Sequence, residues 1–169
     1  MFDSGQTGVL EKLVRELVSR GYRVATVKHH VHAIDIDVPG KDSWRHARAG
    51  AQVTMISSPT QFAVVSAIQR ERSLAEIVEA AGAVDMLITE GFLRAGATRI
   101  EVSRRARSED AILEPHERFA LVTDNPDLDA GERPVFGLDE SAALADLVEM
   151  TFLGDSAPGA GGKEVHDGD

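Results

Sequence analysis

A chain of 169 residues is long enough to enclose a core as one domain, and its 43% hydrophobic and 27% charged residues are ordinary for a globular protein. The formal net charge of −10 argues against a general nucleic-acid binder, and the absence of cysteine removes disulfides and thiolate metal sites. No apolar run reaches the roughly 18 residues of a membrane span, and no signal peptide precedes the first helix. The expectation is a soluble cytoplasmic protein with no membrane or nucleic-acid partner.

In chain order, Val9, Leu10, Leu13, Val14, Leu17 and Val18 recur at helical spacing, and Gly21 is placed to stop that helix. "YRVATVKHH" reads as a strand and "VPGK" as a turn. "SWRHARAG" predicts a short helix capped by Asp42 or Ser43 and ended by Gly50, with Trp44 as a packing anchor. "QVTMISS" and "QFAVVSAI" flank Pro59-Thr60 as a hairpin, whose Met55, Phe62, Val64 and Val65 are more apolar than a hairpin covers alone. Ser73 and Glu76 form a capping box for a helix through Ala81. "VDMLITEGF" is a nearly continuous apolar run, which predicts a central strand buried on both faces of a parallel sheet.

"RIEVS" and "RFALVTD" are two further strands. A last helix is expected over 141–152, with Leu144, Leu147, Val148 and Phe152 on its buried side. Residues 1–153 form the predicted domain, and 154–169 read as a disordered tail. Alternating strands and helices with one hairpin define an α/β protein with a mostly parallel sheet, in which ligands bind beyond the carboxyl ends of the strands.

Polar clusters fall at such ends. "SGQT", residues 4–7, precedes the first helix directly. Backbone N–H groups of a Gly-rich turn and a helix N-terminus attract anions, and the Thr7 hydroxyl could hold magnesium. The bland alternative is a frayed terminus, and Gln6 brings a dipole where a phosphate loop carries lysine. The second cluster runs Lys28-His29-His30-Val31-His32-Ala33-Ile34-Asp35-Ile36-Asp37. Its imidazoles and carboxylates could ligate zinc, or Asp35 and Asp37 could orient magnesium, or the segment is a solvated loop. In the third, Glu90 follows the buried strand, as a magnesium-holding or water-activating carboxylate or as an ordinary strand-terminal acid. "RRAR" at 104–107 reads as a solvated loop rather than a phosphate clamp.

Taken in order, these segments resemble the MobB family, the GTP-binding accessory proteins of molybdenum cofactor biosynthesis. "SGQTGVLEKLVRELVSRGYRVATVKHH" is similar to the family's loop, first helix and following strand. "DIDVPGKDSWRHARAGA" is the most specific match, and "ITEGF" and "RIEV" resemble two later motifs. The resemblance implies a P-loop NTPase of the SIMIBI type whose first strand lies outside this chain. It also implies a homodimer that binds GTP with magnesium and assists the molybdopterin guanylyltransferase that makes the guanine dinucleotide form of the cofactor. Carried over, Ser4, Gly5, Gln6, Thr7, Gly8, His29 and Gly91 fall at the nucleotide. Thr7, Asp35, Asp37 and Glu90 fall at the metal, with Glu90 also in the catalytic role. The family's loop lysine is Gln6 here, its second threonine is Gly8 and a further aspartate is Ala33. The expectation is therefore weak or absent GTP hydrolysis. The alternatives are a nucleotide-free adaptor of the same fold and, from the second cluster alone, a His/Asp metal-dependent hydrolase.

Overall fold

The computed structural model describes residues 5–30, 32–92, 96–106 and 110–154. Ser4, Val31, Arg107 and the expected tail beyond Gly154 lie outside the described residues. Along the chain run α1 (Gln6–Ser19), β1 (Val24–Lys28), α2 (Asp42–Arg48), β2 (Val53–Ser57), β3 (Phe62–Ser66) and α3 (Leu74–Ala81). They are followed by β4 (Met86–Glu90), β5 (Ile100–Ser103), β6 (Ala120–Thr123), β7 (Val135–Phe136) and α4 (Ser141–Val148). Contacts divide the chain into two compact units, residues 1–29 with 78–169 and residues 30–77.

In the larger unit the strand pairs among the described residues are parallel: β1 with β4, and β5 with β6 with β7. Val24 lies opposite Met86 and Lys28 opposite Glu90, so the polar ends of both strands finish level. At the other end the Asp85 carboxylate accepts the Arg23 backbone N–H and guanidinium, both at 2.8 Å, which aligns the two strands as they begin. Val9, Leu13 and Leu17 of α1 are buried with Ala120 and Val122 of β6 and with Leu144, Ala145 and Val148 of α4. Val24, Met86, Ile88, Ile100 and Val102 pack against this cluster, so one core serves both sheets. Leu17, Leu121, Leu144 and Val122 are fully buried, each contributing about 1.5–3 kcal/mol relative to exposure.

α1 stops where its glycine predicts. Gly21 adopts φ 94°, while the N–H groups of Gly21 and Tyr22 donate to the Val18 and Leu17 carbonyls. Beyond it, the Tyr22 hydroxyl and the Arg20 guanidinium each donate to Glu149 at 2.6 Å. These bonds tie the end of α1 to the end of α4 and hold the Glu149 carboxyl below its ordinary range.

Three expectations change. The 83–89 strand was expected to be central and doubly buried. Instead β4 is half-buried along its whole length and pairs with β1 alone among the described residues. The strand buried at every position is β6, which has neighbours on both edges. An apolar run reports that a strand avoids water but not what covers each face. Second, the chain after α4 widens into a π-helical turn over Glu149–Leu153. The extra residue in that turn rotates the buried face by one position. Leu153 is buried, and Phe152, 47% exposed, makes a tilted ring contact with Phe119. Third, α2 begins at Asp42 with Lys41 as its N-cap and no side-chain cap. Asp42 acts from the first turn, where a negative charge suits the helix dipole.

The smaller unit holds α2 and the antiparallel hairpin of β2 and β3, with Ser57 opposite Phe62 and Val53 opposite Ser66. Thr54 is buried, whereas Val53, Met55, Phe62 and Val64 share the other face and are exposed. Trp44 is half-buried, with the Arg48 guanidinium 5.1 Å from its ring centre. The Ser73–Glu76 capping box forms as expected, and Arg70 grips the same carboxylate at 2.7 Å.

Candidate functional site

Within the larger unit, α1 begins beside the carboxyl ends of β1, β4 and β5. Gly5 is its N-cap, buried and left-handed at φ 73°, a conformation that costs a residue with a Cβ about 1–2 kcal/mol. A Cβ there would also overlap the Arg104 Cδ, so the site needs glycine on both grounds. Gly8, by contrast, has nothing within 4 Å of an added Cβ. It is not a close-approach glycine, and the threonine of the family's loop would fit.

Thr7 faces Glu90. The Thr7 hydroxyl lies 3.4 Å from Glu90 Oε1, long for an O–H···O bond, so the two oxygens are neighbours without being locked together. Lys28 Nζ also reaches Glu90 Oε1, at 3.0 Å. This ion pair is half-open to solvent, with Lys28 52% and Glu90 16% exposed at the side chain.

The turn after β4 is held against β1. The His29 N–H donates to the Glu90 carbonyl at 2.8 Å, continuing the ladder by one residue. Gly91, at φ 98°, lets the chain pass so close to His29 that a Cβ would sit 2.9 Å from His29 Cβ. Phe92 then takes φ 49°, left-handed for a bulky residue, with its ring 4.6 Å from the His29 ring. Such backbone strain, about 1–3 kcal/mol, collects at functional turns.

On the other side of Gly5 lies Arg104, one residue past β5. Its Nε is buried without a hydrogen-bond partner, and its aliphatic stem covers the glycine. The solvated-loop expectation therefore holds for exposed Arg105 and fails for Arg104. The missed signal is positional, because a residue just beyond a parallel strand's carboxyl end stands where ligands bind. Further along the same edge, the ends of β6 and β7 enclose a cavity of about 360 Å³ lined by Thr123, Asp124, Asn125, Phe136 and Glu140.

The structure thus brings together Gly5, Thr7, His29, Glu90 and Gly91, with exposed Gln6 in the first turn of the helix. Asp35 and Asp37 belong to the smaller unit, together with exposed His30 and His32. Asp35 is 74% exposed and 4.0 Å from Arg48, and Asp37 accepts the Val38 N–H at 2.7 Å. Among the described residues no three or more His, Asp or Glu side chains converge on a metal position. The hydrolase expectation therefore gains no support, since adjacency in sequence did not become convergence in space.

The parallel sheet and a glycine-led helix at the strand ends define an α/β protein of the SIMIBI P-loop NTPase fold. A crystal structure of molybdopterin-guanine biosynthesis protein B superposes with a TM-score of 0.68 at 29% identity, covering 90% of this chain and 95% of that one. Bacillus subtilis MobB gives 0.65 at 24%, covering 89% and 92%. The family model described as molybdopterin guanine dinucleotide synthesis protein B matches residues 1–124, and the chain belongs to this family, MobB.

Two relatives carry the description molybdopterin-guanine dinucleotide biosynthesis adapter protein. That of Escherichia coli is 30% identical over 153 residues, spanning 86% of this chain and 85% of its own length. That of Haemophilus influenzae is 28% identical over 148 residues, spanning 86% and 82%. No helix among the described residues is long and apolar enough to cross a membrane.

Proposed function

We propose that the chain is an accessory protein of molybdenum cofactor guanylylation that binds GTP with magnesium at the head of α1 and turns it over slowly or not at all. The observation that carries this reading is the meeting of Thr7 and Glu90 beside the left-handed Gly5, in a chain matched to the family over residues 1–124. Its residues fit the ligand. Gly5 lets the Arg104 stem pack directly on the turn at the head of α1, and Arg104 Nε is an orphaned buried donor beside it. Thr7 and Glu90 offer the hard oxygens that magnesium takes alongside retained waters.

When bound, magnesium would supply charge to neutralise the phosphate oxygens. The chain's own work is to orient. Backbone N–H groups at the start of α1 face the phosphates, Gln6 donates without charge, and Glu90 orients water. With no lysine in the loop, charge developing in phosphoryl transfer is poorly stabilised, which argues for binding without useful turnover. The partner is the guanylyltransferase of the cofactor pathway and its assembly proteins. A second copy of this chain would cover the hairpin face of Val53, Met55, Phe62 and Val64.

One observation favours a nucleotide-free adaptor instead: Lys28 already occupies Glu90 Oε1. Calorimetric titration with GTP, with magnesium present and then chelated, separates the two. The proposal expects weak binding that falls when magnesium is removed, and the adaptor expects none.

A further inference from the structure

We infer that Arg104 supplies the positive charge that residue 6 lacks, so that its guanidinium is the cation for the nucleotide phosphates. The inference rests on the nucleotide reading above and goes beyond it by naming a residue outside the loop.

Arg104 lies in contact with the turn that would cradle a phosphate, since its Cδ, Cγ and Nε are the atoms nearest the position a Gly5 Cβ would take. Other cations at this end of the strands are committed. Lys28 is tied to Glu90, and Arg105 lies 3.7 Å from Asp127. Arg104 has no hydrogen bond or ion pair among the described residues, although the chain carries 28 acidic side chains.

A buried donor without an acceptor is destabilising, so something that accepts from it is favoured at that point. A phosphate oxygen at the head of α1 is such an acceptor, and the planar guanidinium fork matches phosphate better than a lysine point charge does. The same placement explains how a loop that carries glutamine keeps a phosphate site. The charge enters from the carboxyl end of β5 and not from the loop.

The test is calorimetry on the full chain with GTP and magnesium at fixed salt, repeated with guanosine. Arg104→Met keeps the apolar stem over Gly5 and removes only the guanidinium, and Arg104→Ala is its companion. Loss of one charge-assisted bond should weaken GTP binding by roughly 10- to 150-fold and leave guanosine unaffected. Gln6→Lys should restore much of the loss in the Arg104→Met chain while adding less to the unsubstituted one, because the two cations serve the same phosphates. Equal GTP affinity with and without the guanidinium, in a variant whose melting is unchanged, overturns the role of Arg104 and leaves the nucleotide reading standing. No GTP binding by the unsubstituted chain overturns both.

Discussion

Replacing Arg118 by methionine should be among the most damaging single changes in this fold. Arg118 and Glu101 are 1% and 6% exposed at the side chain, with Nη1 and Oε2 3.1 Å apart. Arg118 Nη2 also donates to the Leu113 and Asp129 carbonyls at 2.9 and 3.1 Å, and Glu101 Oε1 accepts the Ile112 N–H at 2.6 Å. The pair therefore holds two segments against β5, the strand that leads into Arg104. Methionine fills much of the volume but leaves Glu101 charged, buried and without its counter-ion. Breaking such a pair costs about 3–5 kcal/mol, a large part of the roughly 5–15 kcal/mol that holds a domain together. Adding Glu101→Leu removes the stranded charge, so the double variant should recover most of that loss. Urea denaturation followed by circular dichroism reads both effects. A single variant that loses less than about 1 kcal/mol, or a double variant no better than the single, would refute the reasoning.

Glu90→Gln should leave the melting temperature nearly unchanged, because its pair with the half-exposed Lys28 is worth at most about 1 kcal/mol, while magnesium-dependent GTP binding weakens. Unfolding of that variant would make Glu90 structural. Met55→Ser combined with Phe62→Ser should convert a dimer to monomer in sedimentation at micromolar concentration, and a monomeric unsubstituted chain would defeat the hairpin interface. Acid should destabilise the fold through Glu76, Asp139 and Glu149, whose carboxyls Arg70, Lys12 and the Tyr22–Arg20 pair hold below their ordinary values. Their folded pKa values lie below the unfolded ones, so their stabilisation is complete above those ordinary values of 4.5 and 3.8 and fades as pH falls further. A melting temperature that stays level on acidification would contradict this.

Local pattern was the legible part of this sequence. The stripe of Val9, Leu13 and Leu17, the Gly21 stop, the hairpin and the Ser73–Glu76 box each follow from residues a few positions apart, and each is present. What depends on distant chain was not legible. The apolar run ending at Glu90 reads the same whether both strand edges are paired or one is, so it predicts a centre that, among the described residues, β6 occupies instead. The one-residue shift that buries Leu153 in place of Phe152 comes from a π-helical turn with no signature in composition.

Gly5, Thr7, Glu90 and Gly91 stand out in sequence because glycine and strand-end acids have fixed uses, and the structure brings them together. Arg104 carries no distinguishing mark in sequence, where three arginines in four residues look like a wet loop. Only its contact with a glycine about a hundred positions earlier distinguishes it. Asp35 and Asp37 show how little density in sequence says of space, since among the described residues that cluster is a set of separate, mostly exposed groups.

The most direct measurement is a calorimetric titration of the unsubstituted chain with GTP, with magnesium present and then chelated, and with guanosine as the phosphate-free control. A phosphate site at the head of α1 predicts weak, saturable GTP binding that declines without magnesium, and no detectable binding of guanosine. Equal heats for GTP and guanosine, or no heat from GTP at all, would contradict it.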